Sequence, residues 1–107
     1  MNFEAVGSDG PHGRRLQRLV QSVLESDGHL SREVRSAIAR GKKVEGPLAE
    51  YVEKVSREAH RITDADTSRL LAAGFSEDQI FEATVSAALG AGLLRLHAGL
   101  AALGKRD

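Results

Sequence analysis

Residues 76–103, SEDQIFEATVSAALGAGLLRLHAGLAAL, constrain this chain more than any other stretch. Ser76 and Gln79 form a capping box, and Phe75 and Ile80 stand at the staple positions around it. Glu77 and Asp78 place negative charge in the positive first turn. Nothing after them breaks the helix, which is expected to run to about Leu103, roughly 40 Å at 1.5 Å per residue. Its middle, ATVSAALGAGLL, is apolar or small on every side, the mark of a helix covered all round. Gly90 and Gly92 each cost ~1 kcal/mol relative to Ala in a helix interior. Close backbone approach by another helix would offset that cost. A chain of 107 residues has too little core to surround such a helix alone. The expectation is a homo-oligomer with this helix at or near the interface. The alternative is a central helix wrapped by the chain's other four.

The rest of the chain supplies those helices. Residues 1–13 are rich in Gly, Ser, Asp and Pro, lack any period, and are expected to be a disordered tail. Residues 14–107 then form one helical domain. Leu16, Leu19, Val20, Val23 and Leu24 make an apolar stripe over Arg14 to Ser26. Ser31 precedes a short helix carrying Val34, Ala37 and Ile38, which Gly41 ends. GKKVEG is a loop, and Pro47 suits the first turn of a helix with the stripe Leu48, Tyr51, Val52, Val55, Ala59 and Ile62. Thr63 is the N-cap for a helix from Asp64 to Ala73, with Leu70 and Leu71 inward and Gly74 as its left-handed stop. The fold class is all-α, with about five helices. Three Phe, one Tyr and no Trp leave core volume to Leu, Val, Ile and Ala, which suits helices better than a β-sandwich.

Charge and composition exclude several functions. Fifteen basic residues balance fifteen acidic ones, so no global field draws the chain to nucleic acid or an anionic membrane. Zero cysteines remove disulfides, thiolate zinc sites and thiol catalysis. The N-terminus has no signal-peptide pattern. The uncharged run between Glu82 and Arg95 falls short of the ~20 residues that span a bilayer. A cytoplasmic protein without membrane contact is expected.

The turn LLAAGFSEDQIFEAT has three possible uses. Leu70, Gly74 and Ile80 match positions of a helix-turn-helix, but the recognition helix would then lead with Glu77, Asp78 and Glu82, which phosphates repel. Arg14, Arg15, Arg18, Arg40, Lys42 and Lys43 lie elsewhere, as a solvated face. A DNA-binding regulator is therefore a third reading at best. Ubiquitin-associated domains use a similar Gly-Phe loop, but their last helix is short. A structural hinge needs no partner and fits the capping chemistry.

HRITDADTSRLLAAGFSEDQIFEATVSAALGAGLLRLHAGL resembles the carboxymuconolactone decarboxylase and AhpD-like superfamily. The shared pattern is a helix, the turn from Gly74 to Ile80, and an Ala/Gly-rich helix reaching Arg95-Leu96. The resemblance covers about residues 30–103. It implies an AhpD-like helical bundle that assembles as a trimer or hexamer. Where the thiol branch carries Cys-x-x-Cys and a His, this chain has Ala59, Ile62 and Asp66. The resemblance therefore implies a redox-inactive member, neither a thiol peroxidase nor a disulfide reductase. The decarboxylase branch also tends to place a His where Asp66 stands.

Other chemistry falls to a few residues. His60 lies near Glu58, Arg61 and Asp64, and a His–carboxylate pair can act as a general base. Arg95 could hold an anionic group. His60 and Arg95 are the catalytic candidates, with Glu58, Arg61, Asp64, Asp66 and His97 as possible pocket residues. The blander alternatives are a solvated helix-end His60, an interface salt bridge for Arg95, and helix-start capping for Asp64 and Asp66. His12 and His29 show no metal-ligand spacing, and no motif implies a cofactor. The expected function is binding or assembly, with a small molecule at a subunit interface. The alternative is a cofactor-free, carboxymuconolactone-decarboxylase-like lyase.

Overall fold

The computed structural model describes residues 10–104, with side chains from 14 onward. Its described residues form five α-helices and no strand: α1 (Gly10–Glu25), α2 (Arg32–Ala39), α3 (Pro47–Glu58), α4 (Asp64–Ala72) and α5 (Glu77–Gly104). The expected all-α class and long last helix are both observed. Of the expected tail, residues 1–9 lie outside the described residues, whereas 10–13 already belong to α1.

The local signals act as their chemistry dictates. Ser31 Oγ accepts the Val34 amide at 3.2 Å and starts α2. Gly41, at φ 70°, lets the Lys42 amide reach back to the Ala37 carbonyl at 2.9 Å and ends it. Pro47 opens α3 after Gly46. Gly74, at φ 102°, turns the chain so that the Phe75 amide reaches the Leu70 carbonyl at 3.1 Å. Ser76 and Gln79 then exchange both hydrogen bonds of the capping box, at 2.9 and 3.1 Å. Phe75 and Ile80 join the same apolar cluster, as a staple should.

Three expectations need correction. Helix α3 stops at Glu58, and a 3₁₀ turn over Ala59–Arg61 leads to an extended Ile62. Ala59 is consequently exposed and not part of the α3 stripe. The cause is the start of α4: Thr63 must be extended for its amide to meet Asp66 Oδ2, at 2.9 Å. Leu70 is 2% exposed but Leu71 is 44% exposed, because one inward residue per turn suffices for so short a helix. Leu19 likewise faces out of the α1 stripe.

Helix α5 packs chiefly against α2 and α3. One cluster gathers Ile38, Tyr51, Val55, Leu70, Ile80 and Ala83 where these helices meet. A second joins Val20 and Leu24 of α1 to Ala39 and Leu93. The Tyr51 and Thr84 hydroxyls are 2.7 Å apart, and Thr84 donates to the Ile80 carbonyl. Tyr51 is therefore the donor to Thr84.

Gly90 makes the predicted close approach, within the chain. A Cβ built there would stand 2.8 Å from the Ala39 carbonyl carbon and 2.9 Å from its Cα. Gly92 differs: a Cβ there meets nothing within 4 Å. The chain thus covers one side of α5 and leaves the other bare. By length and composition α5 could also cross a membrane, yet its inward side is the core of this domain.

Candidate functional site

A concave groove of about 940 Å³ opens between the C-terminal end of α2, the loop after it, α3 and α5. Small residues make the room: Ala39 and Gly41, Ala49, and Ala87, Gly90 and Ala91 of α5 all line it. Ile38, Val44, Val52 and Leu94 complete an apolar floor. The rim is basic, with Arg40, Lys42, Lys43, Arg57 and Arg95 against the single carboxylate of Glu53. Arg57 Nη1 lies 3.7 Å from Glu53 Oε1, so that carboxylate already has a cation. Arg95 Nη2 approaches the Ser56 carbonyl at 3.5 Å, which leans its guanidinium toward α3.

Each sequence-derived candidate has a definite place. Arg95 lines the groove; His60, Glu58, Arg61, Asp64, Asp66 and His97 do not. His60 is exposed on the 3₁₀ turn. Arg61 and Glu58 form a surface pair at 3.6 Å. Asp64 is exposed in the first turn of α4, and His97 is exposed on α5. The side chain of His12 lies outside the described residues, and His29 Nε2 pairs with Asp78 at 3.5 Å. The pair proposed for chemistry, His60 and Arg95, is not gathered in this groove.

Asp66 has a structural task. Lys54 Nζ donates to its Oδ2 at 2.8 Å, the Thr63 amide donates to the same oxygen, and Arg69 lies 3.7 Å from Oδ1. The Lys54 hydrogen bond first, then the Thr63 amide, hold the Asp66 pKa below its usual 3.8. This carboxylate bolts α3 to α4 and caps α4.

Sequence reasoning missed a second charged cluster, between α1, α2 and α5. Arg35 is 3% exposed. Its Nη1 donates to the Val23 carbonyl at 2.8 Å and its Nη2 to that of Ser26, so a cation sits on the end of α1 where the helix dipole favours it. The Glu82 carboxylate accepts the amides of His29 at 2.9 Å and Leu30 at 3.0 Å. Burial works to raise the Glu82 pKa, but the Leu30 and His29 amides and the charges of His29 and Arg35 outweigh it and hold it below 4.5. In the sequence Glu82 reads only as a charge that DNA would repel, and Arg35 gives no signal within its amphipathic helix. Gly28 was the nearest hint, since a Cβ there would come within 2.5 Å of Glu82 Oε1.

Among the described residues, no three His, Asp or Glu side chains gather as a metal site would require. Comparison with protein-family models, curated proteins and solved structures gives no match.

Proposed function

We propose that this chain is a redox-inactive, AhpD-like helical protein of the cytoplasm that binds a small anionic molecule and assembles with copies of itself. The observation that supports this most is the groove: an apolar floor of small residues under a rim of five cations and one paired carboxylate. Its volume lies in the range of small-molecule sites, which are mostly apolar with a few placed polar groups. Its single basic edge suits a compact anion with an apolar body. The lyase reading gains nothing from the groove, because His60 is not on its wall. Arg95 faces the groove beside the bare side of α5, so a neighbouring copy seated there would border the site.

The anionic dye 8-anilinonaphthalene-1-sulfonate tests the binding reading. It should bind one site per chain, about tenfold more tightly than uncharged N-phenyl-1-naphthylamine. Joint Lys42→Gln and Lys43→Gln substitution, or Ala91→Leu alone, should weaken the dye by a similar factor. Equal affinity for the two dyes, or indifference to all three substitutions, would refute it.

A further inference from the structure

The bare side of α5 has an order that neither the core nor the groove explains. Phe81, Val85, Ala88, Gly92, Leu96, Gly99 and Leu103 recur at steps of three and four, which puts them on one face. That face lies opposite Ala83, Ser86, Ala87 and Gly90, the residues buried against the chain's own core. Phe81 is 67%, Leu96 41% and Leu103 60% exposed. Cβ atoms built at Gly92 and Gly99 would meet nothing within 4 Å. The stripe carries no ionisable side chain over about 33 Å of helix. Apolar faces of that extent on a soluble domain mark contact sites.

The order within the stripe says what the contact is. Counted outward from Gly92, the positions are symmetric: Ala88 and Leu96 at four residues, Val85 and Gly99 at seven, Phe81 and Leu103 at eleven. Laid antiparallel on a copy of itself, the stripe sets Leu96 against Ala88 and Val85 against Gly99, large against small near the axis, and Phe81 against Leu103 at its two ends, where crossing helices diverge and leave room for two large side chains. Gly92 meets Gly92 on the axis, where the absence of a side chain lets two backbones approach. An isologous contact requires this self-complementarity.

We infer that α5 pairs with α5 of a second copy, antiparallel about a two-fold axis through Gly92. This rests on the assembly reading above and makes it specific: of the trimer and hexamer implied by the resemblance, only the hexamer contains two-fold axes.

The absence of native cysteine makes the test clean. Gly92→Cys meets no atom of its own chain within 4 Å, its fold is checked by circular dichroism, and at the axis its disulfide would take the place of the direct backbone approach. With diamide as oxidant it should cross-link to a dimer nearly completely. Leu96→Cys alone should cross-link at least about tenfold more slowly, while a mixture of Leu96→Cys and Ala88→Cys protein should join rapidly, because disulfides form only where Cα atoms lie within ~7 Å. Native mass should be an even multiple of the chain, and Leu96→Glu with Leu103→Glu should reduce it. An oligomer in which neither Gly92→Cys nor the mixture of Leu96→Cys and Ala88→Cys proteins cross-links overturns this contact but leaves assembly standing. A monomer at tens of micromolar overturns both. A monomer that cosediments with phosphatidylcholine vesicles assigns the stripe to a bilayer and overturns the pairing.

Discussion

Gly90 and Gly92 sit two residues apart in one helix and face opposite surroundings. Gly90 lies against the backbone of Ala39, where a side chain of any size would collide. Gly92 looks into open space. The same contrast holds along the whole of α5. One side carries Ile80, Ala83, Ala87 and Leu93, all sealed by the chain's other helices; the other carries Phe81, Leu96 and Leu103, all exposed. The helix is uniformly apolar, so hydrophobicity cannot tell the two sides apart. What differs is the partner: the inward side packs against α1, α2 and α3, and the outward side meets nothing of its own chain.

Substitutions on the two sides should therefore separate stability from assembly. The largest effect is expected at Arg35, whose guanidinium closes the inward cluster. Arg35→Ala leaves the Val23 and Ser26 carbonyls without their buried charged donor and should cost about 3 kcal/mol, the upper end for hydrogen bonds to charged groups. Urea unfolding measures it, and a loss below about 1 kcal/mol would mean that solvent replaces the guanidinium.

Glu82→Gln comes next, at about 2 kcal/mol, since hydrogen bonds to charged groups contribute more than neutral ones. It also carries a pH signature. The Glu82 pKa is lower in the folded chain than its ordinary 4.5. The unfolded chain therefore takes up the proton first, and the stabilisation is complete above about 4.5 and disappears as pH falls through the lower folded value. Asp66, held below 3.8, adds loss in the same direction at still lower pH. Glu82→Gln should flatten the upper part of the acid limb of stability, which begins as pH falls below about 4.5; an unchanged limb would contradict the assignment. Smallest in stability is Leu96→Gln, which should lie within about 0.5 kcal/mol of the parent chain once dissociated, as surface substitutions do. Its effect should appear in the mass of the assembly instead.

The helices were legible because their ends are written in local chemistry. Ser31, Gly41, Pro47, Thr63, Gly74 and the Ser76–Gln79 box all act within a few residues of where they stand, so position in the fold does not alter their task. Burial was less legible, since it depends on what arrives from elsewhere. Leu19 and Leu71 match their helical stripes but find no neighbour. Arg35 has the character of a surface residue until α1 places its last carbonyls beside it. For the site, Arg40, Lys42 and Lys43 were visible as a basic run, and Arg95 as a lone cation. Only the crossing of α2, α3 and α5 brings them around one groove. His60 drew attention through acidic neighbours in sequence, but those neighbours are solvated and the groove lies elsewhere.

The central claim, that α5 is core on one side and free on the other, is tested most directly by two methyl groups. Gly90→Ala and Gly92→Ala add the same atoms to the same helix and can be compared by urea unfolding at a protein concentration low enough that the chains are dissociated. Gly90→Ala should lose about 2 kcal/mol or more through overpacking against Ala39. Gly92→Ala should stay within about 1 kcal/mol of the parent, the helix-propensity gain of Ala over Gly favouring the folded chain. Equal losses at both positions, or a larger loss at Gly92, would contradict the account.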